Sequence, residues 1–390
     1  MLLPIITTLF RNFKLNWRVA RRSFSINIKR STMSACVKQP STADSSSSST
    51  VTATDRHADG DAGTKSNSDS SFYTGSDVRP KHDASHIRDA VAEGDIYRCR
   101  SVSPADSVFK RAFKFYKKRC PPPDLSEVID FRASSLPKGV ISTPLKEVQS
   151  LPREALSAVG LKPFAEWRLF EVLHRRGLFV LSDVFEPSRH LEWIARCLTV
   201  YPEAPNKTNV GLHIPDVSQI FLNHTSKLRW ATLGYHYDWT TKIYPSSGEP
   251  LPSELVTIAD IISRALGIGP MQADAAIINY YPAKSTLSPH VDRSERFLIR
   301  PLISLSFGQS AVYLSGGTSL DDPVDAFFLH SGDVLVMYAK QRLVYHAVPH
   351  IEKTRDFEPD AAVPREVVEY ANKNRINVTI RQVDRHCESE

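Results

Sequence analysis

The chain has 390 residues, of which 41% are hydrophobic and 24% are charged. This apolar content is too high for a wholly disordered chain. No apolar run approaches the roughly 18 residues that cross a bilayer, so we expect no stable membrane association. The five cysteines are widely spaced and lack a CxxC pair. This excludes a disulfide framework and a cysteine zinc site, and it fits a reducing compartment.

The net charge of +6 is concentrated near the N-terminus. Residues 1–43 hold eight of the 49 basic residues and none of the 43 acidic ones, so the remaining chain has a net charge of −2. Net charge therefore does not by itself indicate a nucleic-acid-binding face. Arg, Ser and Thr among Leu, Ile and Phe are typical of a mitochondrial targeting segment. A disordered basic tail and a secretory signal are the alternatives. We expect a mitochondrial protein, with the nucleus or cytoplasm as further locations.

Residues 44–104 are rich in Ser, Asp, Thr and Gly. Such a segment cannot bury enough apolar surface to offset the entropy of ordering, so we predict a disordered linker. The composition changes again at about residue 105, where apolar side chains return. Residues 105–269 are predicted to form an N-terminal helical extension, and residues 270–390 the core.

Three amphipathic helices are predicted in the extension. Residues 108–119 place three aromatic side chains at helical spacing among basic ones. This pattern favours a helix docked on the main domain, with a helix that contacts nucleic-acid phosphates or a membrane surface as the alternatives. Ser188 and Ser253 are predicted to cap two further helices, each of which lays an apolar stripe on a sheet.

Short strands separated by turns follow Gly269. We predict strands at 275–281, 302–307, 311–314, 326–329, 334–338, 343–348 and 376–382. The turns Gly316-Gly317 and Ser331-Gly332-Asp333 are predicted to form hairpins. The polar segment between His350 and Asn374 is predicted to be a loop with a short helix near 364–372. Many short strands favour a jelly roll over a parallel sheet. The predicted fold class is therefore α+β, with a double-stranded β-helix core, flanking helices and a disordered N-terminal region.

A candidate metal site is formed by His290 and Asp292, in a His-Val-Asp motif, together with His346. In an extended strand, alternate side chains share a face, so His290 and Asp292 point the same way. A histidine from another strand would complete the facial triad of non-haem Fe(II) oxygenases, which leaves positions open for a chelating co-substrate and oxygen. Three other histidines are interpreted as structural: His236, His330 and His350.

Residues 375–381 alternate polar and apolar side chains without a break. The polar members are Arg375, Asn377, Thr379 and Arg381. This face either meets water on an ordinary half-buried strand or lines the interior of the barrel. Inside a barrel, guanidinium groups would bind carboxylates bidentately. A diacid that chelates iron at one end and contacts Arg at the other is 2-oxoglutarate.

Together these motifs resemble the AlkB family of Fe(II)/2-oxoglutarate-dependent dioxygenases. The likeness is strongest to the group of the first animal AlkB homologue, and it covers approximately residues 108–383. The matching residues follow the order Asn-x-Tyr, HxD, His and RxNxTxR: Asn279, Tyr281, His290, Asp292, His346, Arg375, Asn377, Thr379 and Arg381.

The resemblance implies a role for each matching residue. Fe(II) would be held by His290, Asp292 and His346. The 2-oxoglutarate pocket would be lined by Asn279, Tyr281, Arg375, Asn377, Thr379 and Arg381, and O2 would be the second co-substrate. A flipped base would stack on aromatic residues, which are otherwise core residues of a hairpin: Trp230, Tyr235, Tyr237 and Trp239. Residues 105–269 would then include the nucleotide-recognition region, and residues 270–390 would be the dioxygenase core.

The implied reaction is oxidation of a methylated base in nucleic acid. A hydroxymethyl group on nitrogen is lost as formaldehyde, whereas one on carbon persists. We expect a monomer acting first on tRNA, at 1-methyladenine or 5-methylcytosine, and second on DNA, at 6-methyladenine or another alkylated base. A histone or other protein demethylase and an iron-free binding module are the alternatives.

Two departures from the bacterial repair enzymes bear on the substrate. Those enzymes carry an acid two residues after the iron Asp, where this chain has Ser294 and then Glu295. They also hold a basic residue after the turn that matches Gly316-Gly317, where this chain has none. Both departures argue against efficient repair of alkylated bases and favour another nucleic acid.

Overall fold

The computed structural model describes residues 106–145 and 153–385. The predicted targeting segment (1–43) and linker (44–104) lie outside these residues. The predicted mitochondrial location depends on the targeting segment, so it stays a prediction. In the described part of the chain, no helix has the length and apolar character needed to cross a membrane.

Six α-helices occur in the described residues. They are α1 (Val108–Lys117), α2 (Arg153–Ala158), α3 (His190–Thr199), α4 (Ile220–His224), α5 (Ser253–Ala265) and α6 (Arg365–Ala371). Short 3₁₀ helices cover Phe164–Glu166, Pro187–Arg189 and Ala339–Leu343.

Thirteen strands form two antiparallel sheets in the same residues. They are β1 (Val140–Thr143), β2 (Arg168–Val172), β3 (Leu178–Ser182), β4 (Lys207–Thr208), β5 (Trp230–Gly234), β6 (Ala275–Tyr281), β7 (Leu287–His290), β8 (Leu302–Gly308), β9 (Ser310–Ser315), β10 (Asp325–Leu329), β11 (Val334–Met337), β12 (His346–Glu352) and β13 (Arg375–Arg381). The large sheet has the order β1-β2-β3-β11-β8-β13-β6-β5-β4, and the small sheet has the order β10-β9-β12-β7. This architecture confirms the predicted jelly roll with flanking helices.

Apolar side chains form one layer between the sheets and one on the outer face of each. The inner layer joins Tyr281 and Met337 of the large sheet to Tyr313 and Phe327 of the small sheet. Helices α3, α5 and α6 pack in a second cluster that includes large-sheet residues such as Ile303. Burial of these apolar faces is the main favourable contribution to the fold.

Helix α1 covers the outer face of the small sheet, as the docked-helix prediction expected. Its buried face includes Phe109 and Tyr116, and it packs on β7, β9 and β12. The Ser107 hydroxyl accepts a hydrogen bond from the backbone N–H of Lys110 at 3.4 Å, which caps the helix. The helix ends at Lys117, two residues before the predicted end. It therefore buttresses the strand pair β7–β12.

The predicted caps of α3 and α5 are each wrong by one residue. Ser188 lies within the 3₁₀ turn Pro187–Arg189, and α3 begins only at His190. Ser253 is the first residue of α5 rather than its cap. Pro252 occupies the cap position because its carbonyl accepts the first helical hydrogen bond, from the N–H of Leu255 at 3.0 Å.

Five strands precede residue 270, where the sequence analysis expected mainly helices. Strands β1, β2 and β3 extend one side of the large sheet, and β5 and β4 extend the other. The sheet therefore crosses the predicted boundary between the extension (105–269) and the core (270–390).

Two details near the C-terminal half also differ from expectation. The predicted strand at 343–348 is instead the end of the 3₁₀ helix Ala339–Leu343 followed by β12, which begins at His346. The turn at Gly332 joins β10 of the small sheet to β11 of the large sheet, so it is not a hairpin. The Asp333 carboxylate holds this crossover by accepting the backbone N–H of His330 at 2.7 Å.

Candidate active site

Three side chains from two distant segments of the chain meet beside the small sheet. His290 ends β7 and His346 begins β12, and the two residues are directly opposed in the antiparallel pair. Asp292 lies just beyond β7. Its Oδ1 is 3.9 Å from Nε2 of His290, and its Oδ2 is 3.8 Å from Nε2 of His346. All three potential ligand atoms lie within 4.8 Å of one another, and no other His, Cys, Asp or Glu cluster in residues 106–145 and 153–385 has this property.

Both imidazoles present the same nitrogen to this centre. Nδ1 of His290 lies 2.9 Å from the carbonyl oxygen of Ser288, and Nδ1 of His346 lies 3.3 Å from that of Val344. A ring nitrogen that faces a carbonyl carries the proton, which leaves Nε2 as the ligand atom. Burial, reinforced by the nearby His290, lowers the pKa of His346 to about 3. The imidazole of His346 is therefore neutral at physiological pH, as metal ligation requires.

The strand that carries the predicted arginines is buried on both faces. All seven residues of β13 are buried, and the strand lies between β6 and β8. Arg375 is opposite Tyr281, and Asn377 is opposite Asn279. Directly opposed residues project to the same face of a sheet. The two predicted motifs therefore share one face, and the alternative in which the polar face of β13 meets bulk water is wrong.

Arg375 is buried with unused hydrogen-bond donors. Its Nη2 donates to the Ser306 hydroxyl at 3.1 Å, but Nε and Nη1 have no hydrogen-bond partner among the described residues. Its guanidinium carbon is 5.0 Å from the centroid of the Tyr281 ring. A buried guanidinium with unpaired donors is costly unless an anion binds it. The arrangement therefore fits a carboxylate ligand.

The middle of β13 has hydrogen bonds within the protein. Nδ2 of Asn377 donates to the Ser304 hydroxyl at 2.7 Å and to the Leu305 carbonyl at 2.9 Å. The Thr379 hydroxyl donates to Oδ1 of Asn377 at 3.0 Å. These contacts hold both side chains in fixed orientations between Arg375 and Arg381.

Arg381 contacts the candidate metal ligand directly. Its Nη2 donates to Oδ2 of Asp292 at 3.3 Å, and its Nη1 donates to Glu295 at 2.9 Å and to the Tyr244 hydroxyl at 3.1 Å. Glu295 is also 3.0 Å from Nη2 of Arg342. Burial alone would raise the pKa of Asp292, but Arg381, followed by the two imidazoles, holds that pKa well below its usual value. Asp292 is therefore a carboxylate.

Aromatic side chains lead from this network toward the surface. Ring centroids are 5.2 Å apart between Tyr244 and Tyr237, 4.8 Å between Tyr237 and Trp239, and 5.3 Å between Trp239 and Trp230. Trp239 is 44% exposed, whereas Tyr244 is buried. Three of the four predicted aromatic residues thus form one cluster, which Tyr244 connects to Arg381.

Tyr235 is placed differently from the other predicted aromatic residues. Its ring lies 5.8 Å from the guanidinium carbon of Arg296. Arg296 also donates to the Tyr244 carbonyl at 2.8 Å and forms a salt bridge with Asp384. Tyr235 therefore belongs to the contact that ties the aromatic loop to the residues after β13.

The three histidines interpreted as structural have local partners. The pairs are His236 with Thr232 at 3.0 Å, His330 with Asp130 at 3.1 Å, and His350 with Glu352 at 2.8 Å. None of the three belongs to the His-Asp-His cluster.

Sequence reasoning did not identify Tyr244 or Arg342 as site residues, and it treated Glu295 only as a departure from a motif. Arg342 lies four residues before His346, which was a weak signal. Tyr244 carried none, because its link to Arg381 depends on how the loop after β5 folds.

The donor set fits a ferrous ion, because two neutral imidazoles and one carboxylate are the ligands of the facial triad. The unpaired donors of Arg375 fit the far carboxylate of a diacid co-substrate.

Comparison with known proteins agrees with this chemistry. The family model of the 2OG-Fe(II) oxygenase superfamily matches residues 177–381. The nucleic acid dioxygenase ALKBH1 of Mus musculus is 33% identical over 333 residues, which cover 73% of this chain and 85% of the mouse protein. The DNA N(6)-methyladenine demethylase ALKBH1A of Arabidopsis thaliana is 29% identical, covering 71% of this chain and 91% of that protein. The tRNA demethylase abh1 of Schizosaccharomyces pombe is 31% identical, covering 71% and 96% respectively. The chain therefore belongs to the 2OG-Fe(II) oxygenase superfamily and, within it, to the AlkB family of dioxygenases that use Fe(II), 2-oxoglutarate and O2.

Proposed function

We propose that the protein oxidises methylated bases in nucleic acid, with His290, Asp292 and His346 as the ligands of Fe(II). The observation that carries this proposal is the convergence of the three ligand atoms within 4.8 Å of one another, close to a buried guanidinium strand. When bound, Fe(II) supplies the redox chemistry by which 2-oxoglutarate and O2 oxidise a C–H bond. The residues of this chain hold the metal, the diacid and the methyl group in one place.

In this proposal Arg375 binds the carboxylate of 2-oxoglutarate that is distal to the metal. Nη2 donates one of its two N–H groups to Ser306, and its other N–H supplies the bidentate contact together with the unpartnered Nη1 or Nε. Arg381 keeps Asp292 ionised, so that the carboxylate is available to the metal. The remaining pocket residues are Asn279, Tyr281, Asn377 and Thr379.

The aromatic cluster supports a nucleobase as the group that is oxidised. Trp230, Tyr237 and Trp239 offer ring faces that lead to Arg381 through Tyr244. Stacking on aromatic side chains stabilises a base that has left its helix by about 1–3 kcal/mol per base. Aromatic ring faces can also enclose a methylated lysine, so the choice of nucleic acid over a histone is supported by the similarity to the relatives named a nucleic acid dioxygenase and a tRNA demethylase.

Transfer RNA is the first proposed substrate, with 1-methyladenine or 5-methylcytosine as the base. This choice is supported by the similarity to the fission yeast protein named a tRNA demethylase. We propose that the protein acts in mitochondria, on the basis of the composition of residues 1–43. We also propose that it acts as a monomer. The second candidate is 6-methyladenine in DNA, which the Arabidopsis relative is named for.

A substrate panel tests these proposals. Purified protein is incubated with Fe(II), 2-oxoglutarate and tRNA or DNA that carries each methylated base, or with a methylated histone peptide. Nucleoside mass spectrometry, or peptide mass spectrometry for the histone, measures loss of the methyl group, and succinate is measured in parallel. We expect turnover on tRNA, loss of turnover in His290→Ala and Asp292→Ala, and retention in His213→Ala, whose side chain is exposed. Turnover confined to DNA or to the peptide would contradict the tRNA assignment, and turnover that survives both triad variants would contradict the metal site.

A further inference from the structure

Four charged side chains, of which three are buried and Asp292 is half-buried, form a continuous chain beside the candidate metal site. They run from Asp292 through Arg381 and Glu295 to Arg342, with successive distances of 3.3, 2.9 and 3.0 Å. The side chains of Glu295 and Arg342 are 0% and 2% exposed. The chain contains two carboxylates and two guanidinium groups, so its formal charges cancel.

This chain connects the segments that carry the three proposed ligands. Glu295 lies three residues after Asp292, and Arg342 lies four residues before His346. Arg381 is the last residue of β13. Glu295 is therefore the member that contacts both arginines and joins the two ligand-bearing segments to β13.

The two arginines depend on Glu295 for charge compensation. Nε and Nη1 of Arg342 have no hydrogen-bond partner among residues 106–145 and 153–385, and its ion pair with Glu295 is the one salt bridge found for it there. Without the Glu295 charge, two buried guanidinium groups would face Asp292 alone. Charges attract strongly in a poorly solvated interior. The Asp292 carboxylate would then be drawn toward the guanidinium groups, and the net positive charge would oppose binding of a divalent cation.

We propose that Glu295 is a positioning residue of the metal site, whose carboxylate neutralises Arg342 and Arg381 and so leaves the Asp292 carboxylate available to the metal. This inference rests on the proposed function, because it takes Asp292 as a metal ligand. It assigns to the acid three residues after Asp292 a role that involves no contact with substrate.

Metal affinity measured on the unmodified and variant proteins tests the inference without turnover. Co(II), a redox-stable substitute for Fe(II), is titrated calorimetrically, and its visible absorption reports the ligand geometry. We expect Glu295→Gln to weaken Co(II) binding by about 10- to 100-fold, the usual range for loss of a partner outside the ligand set. The matched control is Glu254→Gln. Like Glu295, Glu254 is paired with an arginine, Arg196, but at the α3–α5 contact, where it also accepts a hydrogen bond from the Tyr201 hydroxyl. We expect unchanged Co(II) affinity in this control.

The direction in which a second variant changes the Co(II) affinity separates charge balance from simple support of the fold. Arg342→Met removes a positive charge and leaves Glu295 paired with Arg381, so Co(II) should bind at least as tightly as in the unmodified protein. This variant also provides the test if Glu295→Gln fails to fold by circular dichroism. Unchanged affinity in Glu295→Gln, or a loss in Arg342→Met equal to that in Glu295→Gln, would overturn the inference.

Failure of the metal-site assignment itself gives a different result. Co(II) binding to the unmodified protein that persists in His290→Ala would show that the metal binds elsewhere, which refutes the proposed function. Binding that is lost in His290→Ala but unaffected in Glu295→Gln refutes only the role of Glu295.

Discussion

Replacing Arg375 with Gln tests the assignment of the co-substrate pocket most directly. The guanidinium is buried, and two of its nitrogens have no hydrogen-bond partner in the described part of the chain. If the guanidinium binds the distal carboxylate of 2-oxoglutarate, the variant loses the charge and the bidentate contact together. A hydrogen bond to a charged group contributes about 1.5–3 kcal/mol. A loss of about 3 kcal/mol corresponds to a dissociation constant about 100-fold larger.

The same geometry predicts that Arg375→Gln does not destabilise the protein when no ligand is bound. In the free protein the Arg375 guanidinium has the Ser306 hydroxyl as a partner, and burial lowers its pKa. Removing an incompletely paired buried charge should therefore change the free energy of unfolding little or increase it. We expect 2-oxoglutarate to raise the melting temperature of the unmodified protein but not that of Arg375→Gln.

The assay is calorimetric titration of the Mn(II)-loaded protein with 2-oxoglutarate, together with thermal melts. The control is Arg196→Gln. It removes a guanidinium of helix α3 that is paired with Glu192 of the same helix and with Glu254 of α5. This control should lose stability and keep its affinity for 2-oxoglutarate. An unchanged dissociation constant in Arg375→Gln would refute the assignment of the carboxylate site.

Three further predictions concern stability and substrate binding. Burial lowers the pKa of His190 to about 4 in the folded protein. Between about pH 6.5 and pH 4, His190 is therefore protonated in the unfolded chain but neutral in the folded one. Stability should therefore fall by up to about 3 kcal/mol as pH is lowered through this window; urea unfolding should show a smaller loss in His190→Gln than in the control His213→Gln. Trp239→Ala should raise the KM for nucleic acid by about 10- to 100-fold through lost stacking, with an unchanged melting temperature, and an unchanged KM would exclude Trp239 from the substrate site. Gly234 has a φ of +72°, and a Cβ there would overlap a neighbouring backbone carbonyl. Gly234→Ala should therefore cost at least about 2 kcal/mol in denaturant unfolding, more than Gly139→Ala, where the space is open; equal losses would contradict the overlap.

Period-two alternation made the final strand and its partner predictable. The prediction at 376–382 differs from β13 by one residue at each end, and the prediction for β6 has the observed limits. Alternation also indicated which side chains of β13 share a face, whereas Asn279 and Tyr281 of β6 were expected in the pocket because of the resemblance to the AlkB family. The HxD motif was informative for a similar reason, since His290 lies at the end of β7 and directly opposite His346.

Features that depend on tertiary packing could not be predicted. Strand β3 is buried at four of its five positions and so shows no alternation. The apolar residues before His346 suggested a strand, but burial of Arg342 against Glu295 accompanies a 3₁₀ turn there. The ion pairs among Asp292, Arg381, Glu295 and Arg342 join positions that no local pattern connects.

The way β3 is paired has a practical consequence for expression of a shortened protein. The family match begins at residue 177, one residue before β3, yet β3 forms hydrogen bonds to β2 on one side and β11 on the other. Trimming the chain to the matched region would remove β1 and β2 and expose a row of peptide groups along an apolar strand. Such edges pair with strands of other molecules, so the trimmed protein should aggregate, whereas a version that starts near residue 106 keeps β2 and β1 paired beside β3.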